Sequence, residues 1–452
     1  MRILQNTVNG MAIVGLGLVA GMFAPPAPAT AATLDMGLQL RYRGEYDMRD
    51  FNDDTGADLV NSQRTRLNAK VDQNRYHAFL QIQDVRVWGE EQDGADPTLT
   101  DASADGLDMH QAFFKVDDVF GTGIGLQVGR QEVNLADQRL VGAVDWTQNA
   151  RSFDGIILSR GFENTGVVIP FIIQLNEKDA VDTGGLRQAD VFTDEGKDND
   201  VWVAGIHSIW NVAEGQSLQP HVYYLRDGGP NLNLYTVGAY YEGKAGDVMW
   251  DVTGDWQTGD VTLGGTDYDW NAYLVAANVS VQSGPVLVGG GIDYLSGDDD
   301  PTDKDLNFFT SLLATNHSFY GSMDYFNPNV LPLLNAVLNT SDKSGMLGLI
   351  DYHVKAWYTF DGPTKAGVDA HYFQTAEDNS AILADKNGKS VDTYGTELDF
   401  GFKTKSGPLD IYAGYSVFFQ DDAMEARFRN RGVTNNEDIA HWAFVMASIN
   451  FP

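Results

Sequence analysis

From Leu34 to the C-terminus, apolar side chains return at every second position. Ile124, Leu126 and Val128 alternate with Gly125, Gln127 and Gly129, while Leu34, Met36, Leu38, Leu40 and Tyr42 oppose Gln39, Arg41 and Arg43. A period of two belongs to strands with one greasy and one polar face. The same pattern sets Leu67, Ala69 and Val71 against Arg64, Arg66, Asn68 and Lys70. It also sets Val252 and Trp256 against Asp251, Thr253 and Asp255, and Tyr352, Val354 and Tyr358 against Asp351, His353 and Lys355. About eighteen such runs can be placed, an even number of ~10-residue strands, as a closed single-chain membrane barrel requires.

The connections support that reading. Tight turns fall near residues 72–74, 117–122, 161–165, 211–216, 243–246, 282–284, 361–363 and 405–407. Between them lie longer, mostly acidic segments at 89–106, 176–199, 258–267, 297–345, 375–391 and 420–437, with a short exception at 227–230. Short turns on one side and long loops on the other are the habit of outer-membrane barrels, whose short turns are periplasmic and long loops extracellular. The last strand places Ala443, Val445, Ala447, Ile449 and Phe451 on one face and ends at Pro452. The predicted class is all-β: an antiparallel transmembrane β-barrel occupying residues 33–452.

Residues 1–32 read as a cleaved signal peptide, with Arg2 before the apolar run from Met11 to Phe23 and Ala29-Thr30-Ala31 at the cleavage site. No later run of eighteen apolar residues follows. The expected address is the outer membrane of a Gram-negative cell, with lipid and lipopolysaccharide around the barrel and the barrel-assembly machinery as a partner. A net charge of −33 argues against nucleic acid, and the absence of cysteine removes thiolate metal sites and cysteine catalysis.

The polar faces carry cations that cannot face lipid. An arginine at the bilayer midplane on the lipid side costs ~2–4 kcal/mol, so Arg41, Arg43, Arg64, Arg66 and Lys70 are expected to point inward. The loop-and-strand unit from Gly123 to Gly161 adds Arg130, Arg139 and Arg151 beside Glu132, Asp137, Asp145 and Asp154. Such a set either receives anions, since the planar guanidinium fork matches a carboxylate, or braces the barrel through internal ion pairs. By the alternation, Arg130 shares the parity of the lipid-facing residues before it, so a lumenal position requires a strand end or a bulge.

The blocks GRQE (129–132), DQRLVG (137–142), DW (145–146) and RSFDG (151–155) resemble the alginate-export family of outer-membrane barrels. So do RYRGEY around Arg41 and Arg43, RTRL (64–67) and LLATNHSFYGSMDYF (312–326). The resemblance implies an eighteen-stranded porin whose arginine-lined lumen passes an anionic polysaccharide such as alginate. It places Arg130, Arg139 and Arg151 in the lumen as substrate-binding cations, joined by Arg41, Arg43, Arg64, Arg66 and Lys355, with Glu132, Asp137 and Asp154 as supporting carboxylates. A general small-solute porin, and a structural or adhesive surface barrel, stay open beside it.

The segment 297–345 is too long for a plain connection and is a candidate plug or gate, with residues 330–338 able to form a short amphipathic helix. No cofactor is expected. Ca²⁺ at acidic loops such as Asp298 to Asp303 remains an option without the spacing of a dedicated calcium loop. His77, His110, His207, His221, His353 and His371 show neither a nucleophile elbow nor metal spacing along the chain, so they read as hydrogen-bonding wall residues and the chain as no enzyme.

Overall fold

The computed structural model describes residues 31–88, 107–176, 200–300, 302–330 and 342–452. The expected signal peptide (1–32) up to residue 30, the acidic segments 89–106 and 177–199, and the expected helix beyond Val330 lie outside the described residues.

Alternation along the chain becomes a closed antiparallel barrel. Its strands are β1 Thr33–Met48, β2 Asp58–Gln73, β3 Tyr76–Val87, β4 Asp108–Val116, β5 Ile124–Gln131, β6 Phe153–Phe162, β7 Gly166–Asn176, β8 Val201–Ala213 and β9 Gln216–Asp227. They continue as β10 Leu232–Ala245, β11 Val248–Leu263, β12 Thr266–Ser283, β13 Val286–Leu295, then β15 Leu349–Thr359, β16 Lys365–Gln374, β17 Thr393–Ser406, β18 Leu409–Gln420 and β19 Ile439–Phe451. A two-residue piece, β14 Asp305–Leu306, runs parallel to β12 beside Asp269 and Trp270 and is not part of the wall. The wall therefore has eighteen strands. β1 pairs with both β2 and β19, Leu38 meeting Leu67 on one side and Phe451 on the other, so no strand edge is left open.

The burial pattern is that of a soluble protein turned inside out. On β11, Val252 and Trp256 are exposed while Thr253, Asp255 and Gln257 are buried. On β15, Val354 is 61% exposed and Asp351 is fully buried. Apolar groups facing outward around a polar interior require lipid, not water, as the surrounding medium.

Two long connections turn into the barrel. Residues 132–152, between β5 and β6, and the described parts of 296–348, between β13 and β15, meet at a parallel bridge between Val141 and Leu313. There Gly142 N–H donates to Leu313 O (2.8 Å) and Leu313 N–H to Leu140 O (2.7 Å). The second connection is also fastened to the wall: Gln257 exchanges hydrogen bonds with Thr310, and Met323 N–H donates to Glu397 Oε1 at 2.8 Å. Around these bonds the Phe308 ring packs edge-on against Trp270 of the wall (centroids 5.0 Å apart), and Phe309 and Leu312 belong to the same buried cluster as Val261 and Leu274. Each such fully buried side chain contributes roughly 1.5–3 kcal/mol, so the inward segment is an anchored part of the fold rather than a free flap.

That interior core corrects the sequence reading of 258–267 as a loop. β11 and β12 run on to a two-residue Gly264–Gly265 turn, both glycines at positive φ, as a tight hairpin demands. The apolar residues Val261 and Leu263 face inward there because the folded-in segment covers them, which reverses the usual polarity of the lumenal face. Helix α1 (Asp422–Asn430), between β18 and β19, buries Ala423, Met424 and Phe428. It begins under the Asp421 carboxylate and ends with Arg427 and Arg429, both charges matching its dipole.

Candidate functional site

The loop 132–152 carries the central charge. Asp145 lies inside the barrel, where Arg41, Arg64 and Arg66 of β1 and β2 converge on it. Its Oδ2 accepts from Arg41 at 2.9 Å, and its Oδ1 accepts from Arg64 at 2.9 Å and Arg66 at 3.1 Å. Burial works to raise its pKa, but the guanidinium groups of Arg64, Arg41 and Arg66 win and hold it below the ordinary carboxylate range. Arg64 is fully buried, its other face spent on Gln39 Oε1. Arg66 also meets Glu132 (3.4 Å) and His110 (2.9 Å). Arg43 pairs with Glu45, donates to Trp146 O and lies over the Trp146 ring at 5.0 Å.

Arg139 is a second anchor. It spans Asp137 (2.9 Å) and Asp293 (2.8 Å) beneath the ring of Phe319 and is 3% exposed. Burial opposes its charge, yet the flanking carboxylates keep its pKa above the ordinary arginine value. Burial raises the Asp137 carboxyl despite Arg139. Among the described residues the Arg151 guanidinium donates to Gly142 O alone, at 3.4 Å, and burial lowers its pKa.

Arg130 and Asp154 are corrected. They face each other across β5 and β6 and form an ion pair at 2.9 Å, but on the outer face with Val128 and Ile156, not in the lumen. The β5–β6 register runs unbroken from Ile124 to Gln131, so nothing switches the parity of Arg130. The pair sits at the strand end beside the long loops, where a charge at the membrane boundary costs only about 0–1 kcal/mol.

The arginine set is thus largely consumed by carboxylates. Lys355 and Lys403 make no ion pair among the described residues. Lys403 lies over the Tyr412 ring at 4.1 Å and lines a cavity of about 530 Å³ with Arg41, Trp146, Phe319, Asp369 and Asp399. Lys355 borders a second cavity of about 260 Å³ beside Arg139 and Asp293. Sequence reasoning missed Lys403 and the hub role of Asp145. The parity of Lys403 opposite Phe400 and Phe402 could have found the first. Only the fold of the loop shows the second.

The loop backbone is strained where it holds the hub. Ala136, Gln138, Val144 and Ala150 all have positive φ. For the β-branched Val144 this is a costly conformation, kept by surrounding bonds such as Val144 N–H to Thr315 Oγ1 (3.2 Å) and Arg151 N–H to Ala143 O (2.6 Å).

At the root of the second inward segment, Asp298 is buried with one carboxylate oxygen lacking a partner. Burial pushes its pKa up to about 6. A folded-state pKa above the unfolded value near about 4 means the folded chain holds a proton that the unfolded chain has lost. Stability from this group is present at acid pH and lost as pH rises through that window. The thermal midpoint is expected to fall more steeply between pH 4.5 and 7 in the wild type than in Asp298→Asn; equal slopes in the two proteins would remove the assignment.

A closed barrel with an apolar exterior, a charged interior and inward-folded loops defines an outer-membrane channel of Gram-negative bacteria. The family model for alginate export matches residues 32–432, and the chain belongs to that family. Among solved structures it is similar to OccAB4 of Acinetobacter baumannii, with 15% identity, TM-score 0.54 and 94% of this chain covering 100% of that one. It is also similar to OccAB2 of the same organism (12% identity, TM-score 0.57, 92% and 98% covered) and to Pseudomonas aeruginosa OpdK with vanillate (12%, 0.55, 92% and 98%). No curated protein matches the chain.

Proposed function

We propose that this channel passes small anionic solutes by facilitated diffusion, with sugar acids and short uronate chains as its preferred class. The observation that carries the reading is the cavity at Lys403. It offers a lumenal ammonium that makes no ion pair among the described residues, the rings of Trp146, Phe319 and Tyr412, and carboxylates of Asp369 and Asp399 for hydroxyl groups. Its volume of about 530 Å³ lies within the roughly 300–1,000 Å³ of small-molecule sites. Cations bind the acid group weakly and repeatedly, as passage requires, while ring faces stack on the aromatic wall. The arginines held on Asp145 fix the loop 132–152 inside the barrel, and the described parts of 296–348 fold into the lumen beside it, which favours short chains over a continuous polymer. Membrane insertion would rest on the barrel-assembly machinery acting on the closing strand β19.

The test is single-channel recording of the purified protein under a salt gradient, with and without oligouronate. Anion-preferring current blocked by oligouronate is expected, and Lys403→Glu should abolish the block and shift the reversal potential toward cations. Current that prefers cations, or that ignores oligouronate in the wild type, would leave a general small-solute porin. That second reading draws on Asp369 and Asp399, which share the same cavity.

A further inference from the structure

Four to five strands along the wall from β1, the barrel brings together Asp351 and His353 of β15 and His371 of β16. The two histidines are cross-strand partners, and one ligand atom from each of the three residues falls within 4.8 Å of the others. Asp351 is fully buried and all three line the cavity of about 260 Å³.

The hydrogen bonds place one proton of His353. Asn278 on β12 donates its amide N–H to Asp251 Oδ1 at 2.8 Å, so its Oδ1 is the atom that receives His353 Nε2–H at 2.7 Å. In the neutral ring, with that proton on Nε2, the Nδ1 of His353 carries a bare lone pair. It is buried without a hydrogen-bond partner and points at Asp351 Oδ2 from 3.6 Å. Two acceptors facing each other call for a cation between them. His371 Nδ1 stands 2.9 Å from the same Asp351 Oδ2. For a tetrahedral ion with ligand bonds of about 2.0–2.1 Å, neighbouring ligand atoms are separated by roughly 3.3 Å, between the two distances seen.

The surroundings are those of a built ligand set. The Asp251–Asn278–His353 chain fixes tautomer and ring orientation, as outer-shell partners of metal-bound histidines do. Room for it comes from Gly291 on β13: a Cβ there would lie 2.3 Å from Asn278 Oδ1 and 2.6 Å from His353 Nε2.

We propose that Asp351, His353 Nδ1 and His371 Nδ1 bind a divalent transition-metal ion of the Zn²⁺ class, leaving a further coordination position toward the lumenal cavity. Two imidazoles and one carboxylate select such an ion over Ca²⁺ or Mg²⁺, which prefer oxygen ligands. Metal ligation takes the Nδ1 proton that His371 donates to Asp351: from a neutral ring it moves to Nε2, and from an imidazolium it leaves to solvent. The open position belongs to water or to the acid group of a passing solute.

The test is Zn²⁺ titration of the full chain in detergent, by calorimetry, with millimolar Ca²⁺ present to occupy the acidic loops. One Zn²⁺ per barrel is expected. His353→Ala should remove it, and Asn278→Leu, which leaves all three ligands in place, should weaken it about 10–100-fold. Co²⁺ in place of Zn²⁺ should give the intense visible band of a tetrahedral site, absent from His353→Ala. Heat-modifiable migration on gels shows that each variant still forms the barrel. If wild type binds no Zn²⁺ above the Ca²⁺-competed background, or if His353→Ala and Asn278→Leu both bind as wild type does, the site is refuted.

Discussion

Asp145→Ala is expected to release the loop 132–152 from the wall and to raise single-channel conductance with a noisier open level. The substitution removes the one carboxylate shared by Arg41, Arg64 and Arg66 and leaves three guanidinium groups facing one another. Removing one partner of a buried pair costs about 3–5 kcal/mol. Asp145 is itself half exposed, so solvent screening places the loss at the lower end, about 3 kcal/mol. The strained backbone at Val144 sharpens the effect, because a loop held in a costly conformation relaxes once its anchor is gone. Asp145→Asn keeps the volume and loses only the charge, so it should reproduce most of the change. A thermal midpoint and conductance equal to wild type in both variants would show that the hub does not hold the constriction.

The second large effect concerns the segment between β13 and β15. Leu295 and Leu349 are cross-strand partners, so the whole intervening stretch can be replaced by a two-residue Asn-Gly turn without changing the register of either strand. The barrel should still form, since its closure is carried by β1 with β19 and by the strand ladders. Conductance should rise several-fold, and the block by oligouronate should weaken, because His317 and Phe319, which line the Lys403 cavity, leave with the segment. Loss of Phe308, Phe309 and Leu312 uncovers Val261 and Trp270, so lower thermal stability is expected as well. An unchanged conductance would mean that the solute path lies elsewhere.

The fate of individual residues shows how far the sequence reaches. Strand parity alone placed Arg41, Arg43, Arg64, Arg66 and Lys355 on the inner face, and all five are there. Parity also put Arg130 outward, against the family resemblance, and the unbroken β5–β6 register agrees with parity. Where an apolar residue faces inward because a distant segment covers it, as at Val261 and Leu263, the alternation misleads. It then hides the last turn of a hairpin inside what reads as a loop.

The histidines make the same point from another side. His353 and His371 stand eighteen positions apart, a separation that carries no metal signature along the chain, yet antiparallel pairing sets them face to face. Parity turns Lys403 inward, but its value lies in making no ion pair among the described residues. That is a property of neighbours on other strands.

What the sequence by itself determined is the barrel: a two-residue period decides which face meets lipid, and alternating connection lengths decide its two ends. Both are local properties of the backbone and its solvent. What the tertiary structure decided is which charges remain free to act. An arginine's role depends on whether a carboxylate from a loop eighty to a hundred residues away, such as Asp145, comes within 3 Å of it, and no local pattern specifies that distance.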